Sequence, residues 1–136
     1  MWPKVSRLWF DRCGNAAMEF AFVAPVFITL LLGAVELGRM FYVRQCLEYA
    51  TQQAARYYSL NPSTTTADVT SKLNSYLVSG ISSNVTVSYA DTTNCNANVN
   101  VTCTTVTSTY PFSFAESYLH LAPKTLVASS QAIRQQ

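Results

Sequence analysis

Apolar and polar positions divide the chain into two parts of different character. Residues 20–35 carry no charge, and Thr29 is the one hydrogen-bonding side chain among them. Counted from Ala16, this apolar run is twenty residues long, or about 30 Å of helix, which matches the hydrocarbon thickness of a bilayer. The pattern predicts a membrane-spanning helix over about 16–36. A removed signal peptide is the alternative interpretation.

The helical pattern continues beyond the apolar run. Apolar residues recur mostly three or four positions apart, which is typical of an amphipathic helix; they are Leu37, Met40, Phe41, Cys46, Leu47, Ala50, Ala54, Tyr57 and Tyr58. Asn61-Pro62 should end the helix, because proline disfavours a helical conformation in the residue before it. We therefore expect one continuous helix over 16–60, with a kink at Pro25, which cannot donate a hydrogen bond to the carbonyl of Ala21.

The polar second half predicts one more helix. The segment "STTTADVTSKLNSYLVSG" begins with helix-start residues and carries an apolar face of Val69, Leu73, Tyr76 and Leu77. We expect a helix of about fifteen residues that is capped at its C-terminus by Gly80.

Alternating residues then predict a small antiparallel sheet. In "NVTVSYA", Val85, Val87 and Tyr89 fall on one side, and in "ANVNVTCTTVTS", Val99, Val101 and Cys103 are in phase. A third strand is expected over 125–134, after a loop over 111–123. The expected fold class is α+β, with the sheet packed on the exposed half of the long helix. The expected boundaries are a leader over 1–14, the long helix over 15–60 and an exported domain over 61–136.

Charge orients the chain but indicates no nucleic-acid partner. Lys4, Arg7 and Arg12 precede the apolar run against a single Asp11, whereas cations and carboxylates are balanced after it. The positive-inside rule therefore puts the N-terminus in the cytoplasm and the second half outside. The net charge of +2 provides no basic surface of the kind that nucleic acid needs.

The segment "GNAAMEFAFVAPVFITLLLGAVELGRMF" resembles the N-terminus of TadE-like proteins, the minor pseudopilins of the tight-adherence (Tad) pilus within the type IV pilus superfamily. The shared pattern is a basic leader, a glycine, an acidic-aromatic pair after four residues, and an apolar helix with an early proline and a late glycine. Here these residues are Gly14, Glu19-Phe20, Pro25, Gly33, Glu36 and Gly38-Arg39. The C-terminal "TYPFSFAESYLHLAPKTLVASSQAIR" also resembles the end of that family.

The resemblance implies a processing step and an assembly role. A prepilin peptidase would cut between Gly14 and Asn15, and Glu19 would then neutralise the new terminal amine of a neighbouring subunit, with Phe20 and Pro25 in the assembly helix. The implied partners are other pilin subunits, the peptidase and the inner-membrane pilus assembly platform, and the implied role is in adhesion and surface colonisation. The implied location is the bacterial inner membrane, crossed once, with the C-terminal domain in the periplasm, or the extracellular pilus.

Other interpretations remain open. Glu19 alone is also compatible with a side chain that reaches the lipid headgroups and has no specific partner. The whole chain is also compatible with a single-pass, membrane-tethered periplasmic binding domain that does not polymerise, or with a secreted protein whose first third is removed.

Cysteines and titratable residues complete the prediction. Cys95 and Cys103 lie in the exported part, where oxidising conditions favour a disulfide between them. Cys46 on the long helix is expected to be a buried free thiol, with an intermolecular bridge as the alternative. A metal site would need more ligands than the distant His120 supplies, and the sequence has no phosphate loop or clustered carboxylates. We therefore predict no enzyme activity and no cofactor.

Overall fold

A computed structural model describes residues 12–61, 63–93, 95, 101–115 and 122–135 of the chain. One helix, α1, runs without interruption over Arg12–Leu60 and contains Pro25. The expected continuous helix is therefore confirmed. Most of the expected leader, residues 1–11, lies outside the described residues, as does Pro62. The chain divides into two units, Met1–Leu37 and Gly38–Gln136, so the second half of α1 belongs to the same unit as the rest of the fold.

The second helix, α2, spans Thr66–Tyr76 and starts with a capping box. The Thr65 hydroxyl accepts a hydrogen bond from the backbone N–H of Asp68, and the Asp68 carboxylate accepts one from the backbone N–H of Thr65. The helix is shorter than the sequence predicts, and the expected cap at Gly80 is wrong. Leu77 already adopts an extended conformation, which turns the chain so that Leu77 and Ile81 both enter the core. Gly80 instead occupies a turn at φ 99°, a conformation that favours glycine.

Three antiparallel strands form the sheet, in the order β1-β2-β3. Their bounds are Thr86–Thr93 for β1, Val101–Phe112 for β2 and Lys124–Gln135 for β3. A short 3₁₀ helix over Ser82–Asn84 precedes β1. The α+β class with a small antiparallel sheet is confirmed.

The face of strand β2 that packs toward the helices is not the one that the sequence predicts. The residues that it buries toward the helices are Thr104, Val106, Ser108 and Phe112, whereas Val99, Val101 and Cys103 share the other parity. Cys103 is also buried, but on the opposite side of the strand, where it is bonded to Cys95. The strand also continues through Pro111 to Phe112, so the expected loop begins two residues late.

The core of the Gly38–Gln136 unit lies between the two helices and one face of the sheet. Leu47, Ala50 and Ala54 of α1 are fully buried, as are Val69 and Leu73 of α2. The sheet contributes Val106, Phe112, Leu126, Ala128 and Ala132 to the same cluster, and Val87 and Tyr89 of β1 pack against it. The half of α1 that lies beyond the predicted membrane span thus packs against the sheet, as the sequence predicts.

Candidate membrane helix and assembly surface

The Met1–Leu37 unit exposes a long apolar surface. Phe20 is 72% exposed, and half or more of the side-chain surface is exposed at most large apolar positions that follow it: Phe22, Val23, Val26, Phe27, Ile28, Leu30, Leu31 and Val35. Contiguous apolar surface of this kind is rare on soluble monomers and marks contact with lipid or protein. Among the described residues, one helix is long and apolar enough to cross a membrane, and only 6% of its most apolar stretch is buried.

The expected processing site lies near the start of α1. Gly14 falls within the helix, and Asn15 is exposed. Glu19 is also exposed and follows Asn15 by four residues, a rise of about 6 Å along the same face of the helix. The structure thus gives the carboxylate an open position on an otherwise apolar surface. The roles of Gly14, Asn15 and Glu19 in processing and assembly remain predictions.

Pro25 removes one backbone hydrogen bond inside the exposed stretch, because it has no N–H to donate. One turn later, the Thr29 hydroxyl donates to the Pro25 carbonyl at 2.7 Å, so the side chain that the sequence identified as the one polar group of the run bonds within its own helix. A shallow surface groove lies here, lined by Pro25, Val26, Thr29 and Leu30. The kink at Pro25 remains a prediction.

Glycines leave room on the helix surface. A Cβ added at Gly33 or Gly38 would meet no atom of the described chain within 4 Å. Both positions therefore permit a second helix to approach closely, as small residues do in membrane helices.

The disulfide predicted from the sequence is present. Cys95 and Cys103 are bonded, with their Cα atoms 5.9 Å apart, and join the β1–β2 connection to β2. Cys46 is a free thiol, as expected, but it is half-buried instead of buried. A hydrogen bond with Cys46 raises the pKa of the exposed Tyr42, four residues earlier on α1.

Sequence reasoning missed a contact between α1 and the end of β2. The Arg39 guanidinium lies 4.7 Å from the centroid of the Phe112 ring and donates a hydrogen bond to the Ser113 carbonyl. Phe114 packs edge-to-face on Phe112, with ring centroids 5.2 Å apart. The Gly38-Arg39 pair of the family pattern was the one sequence signal for this contact. Outside that pattern, Arg39 is an ordinary cation at the end of the apolar run. Phe112 is buried, and Phe114 packs on it. His120 lies outside the described residues.

The described residues contain no group of three or more His, Cys, Asp or Glu side chains that could hold a metal ion.

Comparison with known proteins gives a family match. A family model described as TadE-like protein matches residues 14–56, which is less than half of the chain and falls within α1. No curated protein and no solved structure matches the chain. Over residues 14–56, which begin at the predicted processing site, the chain is similar to TadE-like proteins, as the resemblance seen in its sequence predicts.

Proposed function

We propose that the chain is a membrane-anchored minor pseudopilin that takes part in assembling a Tad pilus. One observation carries this proposal: the TadE-like match begins at Gly14 and covers the helix whose apolar side chains are exposed. A helix with exposed apolar side chains needs lipid or other helices around it. In pilus assembly, membrane lipid surrounds the helix first, and the helices of other subunits surround it afterwards. The proposed role is structural, in keeping with the non-enzymatic character of the TadE-like family.

Processing after Gly14 gives the exposed Glu19 carboxylate a role in assembly. The cut creates an α-ammonium group at Asn15, about one helical turn from Glu19 in the same chain. The amine of a neighbouring protomer then pairs with Glu19 in a low-dielectric surrounding, where opposite charges attract far more strongly than in water. Because an unpaired carboxylate inside the bilayer is costly, this pairing favours protomers that are in register.

The remaining surface of the helix supports close packing between protomers. Ala17, Ala21 and Ala24 precede the open positions at Gly33 and Gly38, and small residues allow helix backbones to approach one another. We propose that the helices of other pilin subunits pack against this surface.

Location and partners follow from the same proposal. The N-terminus faces the cytoplasm, where the prepilin peptidase and the inner-membrane assembly platform act on it. The Gly38–Gln136 unit, with its own core and disulfide, is displayed in the periplasm or on the filament, where it contributes to adhesion and surface colonisation.

A membrane-tethered periplasmic domain that never polymerises is the second candidate. It is favoured by the Gly38–Gln136 unit, which has a hydrophobic core of its own built from α2, the sheet and the second half of α1.

Mass spectrometry of the N-terminus of the chain purified from membranes distinguishes these functions. A chain that begins at Asn15 supports the pseudopilin. A chain that begins at Met1 overturns the processing step and leaves the tethered domain. A chain that begins near Val35 overturns both, because the anchor would have been removed.

A further inference from the structure

We propose that the outer edge of β3 accepts an extended segment of another protein as a fourth strand of the sheet. The accepted segment alternates apolar and polar residues and carries a carboxylate that faces Lys124. This inference concerns the sheet alone, and it goes beyond the proposed function without depending on it.

Strand β3 leaves one side of its backbone open. It lies at the edge of the sheet and pairs with β2 along its whole length, Lys124–Gln135. In an antiparallel ladder, about half of the backbone N–H and C=O groups of an edge strand point away from its neighbour. Within the described part of the chain, no backbone hydrogen bond joins β3 to a segment other than β2. The outward groups are therefore available to the backbone of a further strand.

The edge of β3 also lacks the features that usually prevent pairing with another strand. Proline, charged residues and β-bulges protect the edge strands of natural sheets. Residues 125–133 contain neither proline nor a charged residue, and each residue of β3 faces one residue of β2 without a bulge. The other edge strand, β1, is eight residues long against twelve for β3, and it carries Asp91 within it. β3 is therefore the edge to which a strand can add.

The side chains beside this edge indicate the pattern of the added strand. Val127 and Ile133 are 54% and 51% exposed on the face of β3 that points away from the core, with the exposed Ser129 and Gln131 between them. A strand paired at about 4.8 Å would place its own side chains beside these residues and cover part of their apolar surface. β-Branched residues at alternating positions fit best, because they pack well against neighbours on a pleated surface.

Charge favours another protein over a second copy of this chain. Lys124 is exposed, and it forms no ion pair with any residue that the structure describes. Residues 124–135 contain cations but no carboxylate, so β3 of a second copy would offer Lys124 no counter-charge. The carboxylate of β1, Asp91, already accepts a hydrogen bond from the Thr104 hydroxyl at 2.6 Å. A partner strand with an acidic residue opposite Lys124 supplies the counter-charge, since opposite charges across two strands stabilise their pairing.

A synthetic peptide tests strand addition on the full chain in detergent. The probe is a fluorescein-labelled peptide of alternating valine and threonine with a glutamate at each end, so that one glutamate can face Lys124 in either strand direction. We expect it to bind in fluorescence anisotropy. The control peptide has the same side chains but is N-methylated at two adjacent central residues, which removes a donor from both of its edges. We expect about tenfold or more weaker binding of this control, and equal binding overturns strand pairing.

Amide hydrogen exchange measured by NMR shows which edge the peptide occupies. On binding, we expect protection to increase at alternate residues of β3, whose N–H groups point away from β2, and to stay unchanged in β1. Increased protection in β1 alone, or in neither strand, contradicts the proposal.

Cross-linking distinguishes the edges independently. Ser129 and Ser88 are a matched pair, because both are exposed and both face Thr107 in the register, one on each side of β2. In a chain with Cys13 and Cys46 replaced by serine, a short bis-maleimide should link a central cysteine of the peptide to Ser129→Cys and not to Ser88→Cys. Equal linking at both positions overturns the choice of β3. A Ser129→Cys chain that instead links to a second copy of itself overturns the choice of another protein.

The charge preference is tested by Lys124→Gln. We expect this substitution to weaken binding of the glutamate-ended peptide by about threefold or more, because an exposed ion pair is lost. Lys72→Gln is the control and should leave binding unchanged, since Lys72 lies on α2 over the rings of Tyr57 and Tyr76. Equal binding by the Lys124→Gln chain and the wild type removes the acidic residue from the proposal.

Discussion

Thr51 of α1 and Ser108 of β2 meet hydroxyl to hydroxyl inside the core, although 57 residues separate them in the sequence. The Thr51 hydroxyl donates to the Leu47 carbonyl at 2.7 Å, so Ser108 is the donor in the contact between the two hydroxyls. Both residues are almost fully buried. This contact joins α1 to the central strand within the core.

We expect Thr51→Val to destabilise the fold by about 1–3 kcal/mol, because it leaves the Ser108 hydroxyl buried with only a long contact to the Ala128 carbonyl. Adding Ser108→Ala should restore part of the loss, since both polar partners are then gone. Urea unfolding of the full chain in detergent, analysed as a double-mutant cycle, measures this coupling. Strictly additive effects of the two substitutions would show that the hydroxyls do not depend on one another.

Removal of the disulfide should cost about 2–3 kcal/mol of unfolding free energy, because the bond between Cys95 and Cys103 closes a short loop in the unfolded chain. Replacement of both cysteines by serine should therefore lower the urea midpoint, and reduction of the wild-type chain should lower it similarly. The half-buried Cys46 provides a control, because Cys46→Ser should leave the response to reductant unchanged. If reductant has no effect on the wild type, the bond does not stabilise the fold.

The capping box at the start of α2 should make the stability of the fold depend on pH. Hydrogen bonds from the Thr65 side chain and backbone hold the pKa of Asp68 below its usual value. A carboxyl with a lowered pKa in the folded state stabilises the fold above its unfolded pKa, and this contribution is lost as the pH falls through the folded pKa. We expect Thr65→Ala to raise the pKa of Asp68 and to weaken this dependence.

An NMR titration of the Asp68 carboxyl measures that change. The exposed Ser63, which lies outside the box, gives the matched substitution Ser63→Ala, which should leave the pKa in place. An unchanged pKa in Thr65→Ala would contradict the assignment of its cause.

Glu19→Ala should spare membrane insertion but abolish incorporation with other pilins, because the terminal amine of the neighbouring protomer loses its counter-charge. Co-purification with the partner pilins, together with membrane fractionation, measures the two effects separately. Glu48→Ala is the control, since Glu48 lies on the same helix but forms an exposed ion pair with Arg44 at 2.9 Å. Undiminished co-purification of the Glu19 variant would remove the amine-pairing mechanism.

Local patterns predicted much of the fold. The alternation around Val87 and Tyr89 gave the correct inner face of β1, and the third strand was placed within one residue at each end. Glu19 and the apolar run were also visible directly, because a charge beside sixteen uncharged residues stands out in any sequence. The disulfide was predictable because the two cysteines lie close in the chain.

Contacts between distant segments could not be predicted in this way. The inner face of β2 includes Thr104 and Ser108, whose hydroxyls find partners only after the strands and α1 have packed together. The early end of α2 likewise depends on burial of Leu77 and Ile81, which competes with continued helix toward Gly80.

The sequence alone determined the long helix, its exposed apolar stretch and the TadE-like pattern from Gly14 onward, because these depend on residue type and on spacing within one element. Only the tertiary structure decided which face of β2 is buried, where α2 ends, and that Arg39 joins α1 to the end of β2. These features are set by packing between segments that lie dozens of residues apart, and their free energies appear only when those segments are brought together.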